Sequence, residues 1–150
     1  MFKKVLFPTD FSENSYAIMP YLKKLKLSGT KEIVILHVLD MRYSGVFETT
    51  HAMGEMGGQN FDVELFAVME KSAARKLALL KNRLGKDFKV KTLLAEGVPF
   101  KEIVACAERE KVSLIAIGSH GKSNIEDMLL GSVTEKVVRK SKKPCLVVKR

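Results

Sequence analysis

Short apolar runs alternate with longer amphipathic stretches along the whole chain. Residues 3–7 form a short run, apolar from Val5 and ended by Pro8, and residues 33–39 are apolar except for His37. The second pattern is that of a strand buried on both faces. Phe88, Val90, Thr92 and Leu94 alternate with Lys89 and Lys91, which predicts a strand with one wet face. Residues 114–117 and 145–148 are two further apolar runs, so five strands are expected. Between them, Ile18, Tyr21, Leu22 and Leu25 predict a helix over about 12–26. Phe66, Met69, Ala73, Leu77, Leu80 and Leu84 step by three and four residues toward Gly85, a stop signal. Pro99 suits the first turn of a helix containing Ile103, Val104 and Ala107, and a last helix is expected over about 132–140. Strands alternating with helices imply a parallel sheet covered on both faces, an α/β three-layer sandwich.

One segment departs from this rhythm. Residues 40–60 hold four glycines and three methionines with little periodicity. Connections of that length are typically lids, binding loops or disordered insertions with no role, and His51 within it is expected to be solvated. The 150 residues fit one domain, with 46% apolar and 29% charged residues, an ordinary globular composition. Two cysteines, Cys106 and Cys145, are too few for a disulfide framework and read as reduced core residues. No apolar stretch reaches membrane-span length, and the run before Pro8 is too short for a signal peptide, so a cytoplasmic location is expected. The net charge of +9 is local: residues 136–150 hold seven basic residues and no acid, and the other 135 residues are nearly balanced. Nucleic-acid binding would require basic residues interleaved with exposed aromatics or a basic recognition helix. Neither is evident, so nucleic acid is not an expected partner.

Open α/β sheets bind ligands beyond the carboxyl ends of their strands. After the fourth run comes Gly118-Ser119-His120-Gly121, then nine residues, then Gly131-Ser132 opening a helix. Gly118 and Gly121 allow positive φ and close backbone approach. Gly131-Ser132 supplies free N–H groups at a helix start, an anion site, while Ser132 and Glu135 have capping-box spacing. Gly121-Lys122-Ser123 resembles the end of a P-loop, but counting back puts Ala116, inside a strand, at the first glycine position. At the end of the first strand, Pro8-Thr9-Asp10 supplies a carboxylate suited to a ribose hydroxyl or an adenine amine. Asp10 with Glu13, or Ser12, suits helix capping equally well. Val38 has backbone groups to offer an adenine edge.

Gly118-x2-Gly121-x9-Gly131-Ser132, together with residues 5–12 (Val-Leu-Phe-Pro-Thr-Asp-Phe-Ser) and 143–148 (Lys-Pro-Cys-Leu-Val-Val), resembles the universal stress protein family. The likeness spans the chain and is greatest to the ATP-binding branch. It implies a Rossmann-like, nucleotide-binding fold with strand order 3-2-1-4-5, of the adenine nucleotide alpha hydrolase type. It further implies that Asp10 and Val38 hold adenosine, bordered by Pro8 and Thr9, with Ile117 as an apolar wall. Gly118, Ser119, His120 and Gly121 would line ribose and phosphates, and Gly131, Ser132, Val133 and Thr134 would grip phosphates. ATP, ADP or AMP is the implied ligand, with Mg²⁺ or Mn²⁺ carried by the phosphates and no protein metal ligands. In that order the fifth strand is an edge, and its Cys145, Leu146, Val147 and Val148 would be an aggregation hazard unless paired with a twin. A homodimer is expected on both grounds.

The function expected is a nucleotide-dependent stress or signalling switch acting on a protein partner that the sequence does not name. The alternative is a slow ATPase or phosphotransferase using the same site. Efficient turnover needs a placed base and a charge-stabilising cation, and His120 and Lys122 have no evident orienting partners in the sequence.

Overall fold

Valine, isoleucine and leucine at consecutive positions favour strands that are covered on both sides, and the five apolar runs all form them. The structure, a computed structural model, describes residues 1–40, 58–121 and 130–149. The strands are β1 (Lys4–Pro8), β2 (Glu32–Leu39), β3 (Lys89–Glu96), β4 (Leu114–Gly118) and β5 (Cys145–Val148). The helices are α1 (Glu13–Tyr16), α2 (Met19–Leu27), α3 (Gly58–Leu84), α4 (Pro99–Arg109) and α5 (Ser132–Lys140). All strand pairs are parallel and the order is β3-β2-β1-β4-β5, as expected.

Alternate side chains of the sheet enter two cores. On one face Val5, Phe7, Ile33 and Ile35 pack with Leu22 of α2 and Leu77 of α3. On the other, Leu6, Val34 and Ile115 pack with Ile103 and Cys106 of α4 and Val137 of α5. These are the three expected layers. Cys106 is fully buried, and burial pushes its thiol up. Cys145 is only half-buried rather than a full core residue, because its strand lies at the sheet edge. Both thiols are free. The wet face expected of β3 is seen at Lys89 and Lys91, which are exposed on the opposite edge.

Two helical expectations are corrected. The single helix over 12–26 is two helices, because Pro20 in the first turn of α2 has no N–H and its ring excludes a continuous turn. The helix ending before Gly85 begins earlier than its apolar stripe, at Gly58. It therefore takes the last residues of the 40–60 loop. The rest of that loop, His51 included, lies outside the described residues, as do Lys122 and Ser123.

Pro99 opens α4, with Val98 as its cap. Three of the basic residues near the C-terminus have local partners: Arg139 bonds Glu135 at 2.7 Å, Lys143 lies 3.5 Å from Glu108, and Lys136 sits over the Phe100 ring. Arg139 and Lys140 occupy the last turn of α5, where cations complement the helix dipole.

Candidate functional site

Winding reverses at β1. The chain moves from β1 to β2 and β3 on one side, and β4 and β5 lie on the other, so the β1/β4 boundary is a topological switch point. Thr9 N–H donates to the Leu36 carbonyl at 2.9 Å, extending the β1 pairing by one residue. The buried Thr9 hydroxyl then accepts from Phe11 N–H (3.0 Å) and from Ser15 Oγ (2.7 Å). Asp10 Oδ1 accepts from Ser12 N–H (3.0 Å) and Ser12 Oγ (2.5 Å), an Asx-type turn. Ser12 is the cap of α1, its hydroxyl accepting from Ser15 N–H at 3.2 Å. Asp10 is therefore not the cap, and its second oxygen lies toward Gly121. Burial, and then the Asp10 charge, pushes the Tyr16 hydroxyl above its ordinary range.

This turn requires Phe11 at φ 63°, the left-handed region, uncommon for a bulky residue. Its ring lies 4.4 Å from the His37 ring, with the Lys76 ammonium 5.3 Å from its centroid. His37 Nδ1 lies 2.7 Å from the Thr9 carbonyl. That oxygen can only accept, so Nδ1 is the donor.

Of the two reasons expected for these glycines, positive φ and close backbone approach, the first is not met. Positive φ among the described glycines occurs at Gly29 and Gly97, not at Gly118, Gly121 or Gly131. Close approach is what they serve. A Cβ on Gly118 would lie 2.7 Å from the Asn14 carbonyl oxygen, and one on Gly121 would lie 2.7 Å from Asp10 Oδ2. Asn14 Nδ2 also donates to the Gly121 carbonyl at 3.1 Å. The turn at 118–121 is thus seated on the β1–α1 connection. Within it, Ser119 Oγ lies 2.9 Å from His120 Nδ1.

The start of α5 is tied to the same turn. Gly131 N–H donates to the Ser119 carbonyl (2.7 Å), and the buried Thr134 hydroxyl donates to the Gly118 carbonyl (2.8 Å). The capping box expected at Ser132 is not formed. Gly131 is the cap with φ −65° and ψ 152°, and no side chain caps the helix, since Ser132 already lies inside the first turn and Glu135 is engaged by Arg139. The first intrahelical acceptor, the Gly131 carbonyl, is taken by Glu135 N–H at 2.9 Å. The N–H groups of Ser132, Val133 and Thr134 precede it and have no intrahelical partner. Ser132 is exposed and Val133 half-buried.

Val38 contributes through its backbone. The Leu36 carbonyl bonds toward β1 and the Leu39 carbonyl bonds Gly97 beyond β3. Strand backbone groups alternate in side, so Val38 N–H and C=O face the β1 side, where β1 has already ended at Pro8. Ile117 is buried in the α4/α5 core, 6% exposed. Among the described residues no group of three or more His, Cys, Asp or Glu side chains is placed to hold a metal ion. Pro8, Thr9, Asp10, the 118–121 turn and the head of α5 are brought together at one crevice. Asn14, Ser15 and Phe11 belong with them and were not singled out from the sequence. Their signal lay in the run of Thr, Asp, Ser and Asn at 9–15, residue types that bond nearby backbone.

Residues 1–149 match the family model of the universal stress protein family. A universal stress protein of Methanocaldococcus jannaschii is 41% identical, the alignment covering all of this chain and 96% of the relative. The universal stress protein YxiE of Bacillus subtilis is 32% identical over 99% of this chain and all of its own length. A solved structure of a Methanocaldococcus jannaschii protein superposes with a TM-score of 0.86 at 42% identity, covering all of this chain and 97% of that one. More distantly, an Arabidopsis thaliana family member solved with AMP bound shares the fold at 18% identity, with a TM-score of 0.64 over 99% of this chain and 92% of that one. With the fold, strand order and whole-length similarity in agreement, the chain belongs to the universal stress protein family.

Proposed function

We propose that this protein is a single-domain, cytoplasmic, ATP-binding homodimer that acts as a nucleotide-dependent switch in stress response or signalling. The observation that carries the reading is that the 118–121 turn and the first turn of α5 meet beside the β1–α1 connection, with the Val38 backbone groups facing the side where β1 has ended. Asp10 and Val38 hold adenosine beside Pro8, Thr9 and Ile117. Gly118, Ser119, His120 and Gly121 line the ribose and phosphates. Gly131 and the N–H groups of Ser132, Val133 and Thr134 grip the phosphates at the positive end of the helix dipole. Because Thr134 Oγ1 is engaged by Gly118, its contribution is the backbone N–H. Mg²⁺ or Mn²⁺ arrives on the phosphates. Structural relatives hold AMP and cAMP, which supports an adenine nucleotide as the ligand class. The dimer forms through β5, an edge strand whose Cys145, Leu146 and Val147 are only half-buried.

The test removes a donor without disturbing the turn. Gly131→Val is unsuitable, since a Cβ there would lie 3.2 Å from both His120 Cα and the Ser119 carbonyl oxygen. Ser132→Pro is suitable: proline is tolerated in the first turn, and Gly131 already has the extended conformation that precedes proline. This variant loses one N–H and one hydroxyl aimed at the anion. Titration calorimetry is expected to show ATP affinity lowered by about tenfold or more, with the melting temperature of the free protein nearly unchanged. Unchanged ATP affinity would remove the head of α5 from the site. Time-resolved γ-phosphate release from bound ATP then separates a switch from a slow ATPase or phosphotransferase.

A further inference from the structure

The four-residue helix α1 touches the 118–121 turn at both of its glycines, and Asn14 makes the contact at each. Its backbone carbonyl occupies the space where a Cβ on Gly118 would stand, and its Nδ2 donates to the Gly121 carbonyl at 3.1 Å. The remaining neighbours are Ser15 Cα, 3.2 Å from the Gly118 Cβ position, and Asp10 Oδ2, 2.7 Å from the Gly121 one. Asp10 is itself fixed through Oδ1 by Ser12, and Ser15 by Thr9. The β1–α1 connection is thus a hydrogen-bonded block on which the turn rests, and Asn14 supplies the side-chain bond to its far end. Among the described residues, the turn is held on the opposite side at Ser119 and Gly118, by Gly131, Thr134 and the Val148 carbonyl at the end of β5. Among these contacts, the bond from Asn14 alone fixes the Gly121 peptide oxygen.

We propose that Asn14 is a positioning residue for phosphate recognition: it touches no nucleotide, but sets the distance between the 118–121 turn and the head of α5. The inference rests on the nucleotide-binding reading above for its functional consequence, though not for the clamp itself. A loose Gly121 end leaves the adenosine contacts at Asp10 and Val38 intact and blurs the surface offered to the phosphates. The loss therefore falls more heavily on ATP than on adenosine, which keeps Asp10 and Val38. A general weakening of the fold would affect both ligands alike.

The experiment compares the unaltered protein with Asn14→Ala and Asn14→Asp. Alanine removes the donor, and aspartate keeps the shape while placing an acceptor against the Gly121 carbonyl. ATP and adenosine are titrated by calorimetry, and amide hydrogen exchange of residues 118–121 is followed without nucleotide. Asn14→Ala is expected to weaken ATP about fivefold or more, Asn14→Asp more strongly, and adenosine by less than about twofold. Both variants should exchange faster at 118–121. Equal losses for ATP and adenosine, or unchanged exchange in the turn, would each overturn the proposal. If the unaltered protein binds no ATP, the nucleotide reading falls, and the exchange measurement alone decides whether Asn14 clamps the turn.

Discussion

At Phe11 local conformation and tertiary packing pull against each other. A left-handed backbone costs a β-carbon residue about 1 kcal/mol, yet φ is 63°. The position is held by Phe11 N–H on Thr9 Oγ1 and by the ring between His37 and Lys76. Truncation to alanine discards the ring contacts and keeps the strain, whereas glycine discards both. Phe11→Gly is therefore expected to unfold at higher denaturant than Phe11→Ala by roughly 0.5–1 kcal/mol, the reverse of their order in a helix or strand. The glycines of the site give a graded second case. Gly118→Ala drives a methyl toward the Asn14 backbone at 2.7 Å, while Gly131→Ala meets its nearest atoms at 3.2 Å. A loss of about 1–3 kcal/mol is expected for Gly118→Ala and a smaller one for Gly131→Ala, read from urea unfolding midpoints.

Between elements, the amino ends of the strands are joined by Glu110 at the end of α4. It accepts from Lys91 of β3 at 2.8 Å and from Lys4 of β1 at 3.2 Å, and Lys4 also meets Glu32 at 3.3 Å. The Lys91 hydrogen bond, against opposing burial and with help from Lys4, holds the Glu110 carboxyl below its ordinary range. Burial pulls Lys4 down, but Glu110 and Glu32 outweigh it and raise its pKa. A lowered carboxyl pKa contributes stability above the unfolded value of about 4.3, lost as pH falls through the folded value. A raised lysine pKa contributes below the unfolded value of about 10.4 and is lost as pH climbs through the folded one. Glu110→Gln should therefore be less stable than the unaltered protein at pH 7, with the gap closing at pH 3. Urea unfolding at both values checks this, and an equal gap at both pH values would contradict it. The elements themselves were legible because each strand is a run of β-branched or long apolar residues and each helix has a spaced apolar stripe. What was not legible depended on distant partners. The seating of Gly118 on Asn14 joins residues 104 positions apart in the chain, so a local reading offered these glycines positive φ and approach to a ligand, and not approach to Asn14. The capping box at Ser132 failed for a similar reason: Gly131 is drawn onto Ser119, which shifts the helix start by one residue.

Across the whole molecule, the sheet has two unlike edges. β3 exposes Lys89 and Lys91, while β5 carries only apolar side chains and a cysteine, with lysines confined to its flanks. Charged residues discourage strand addition, so β5 is the edge fitted to self-association. Val147→Lys is expected to convert the proposed dimer to a monomer in sedimentation velocity, and an unaltered sedimentation coefficient would rule out this edge as the contact. The same edge leads back to the glycine turn through one residue. Ser119 donates its N–H to the Val148 carbonyl at the end of β5 (2.8 Å) and accepts Gly131 N–H on its own carbonyl. One amino acid thus has β5 on its amide side and the head of α5 on its carbonyl side. For two equilibria sharing such a pivot, a closed thermodynamic cycle requires equal and reciprocal effects. For the proposed ATP-binding dimer, the factor by which ATP changes the monomer–dimer constant must equal the factor by which association changes ATP affinity, and protein concentration then becomes one of the determinants of how much nucleotide is held.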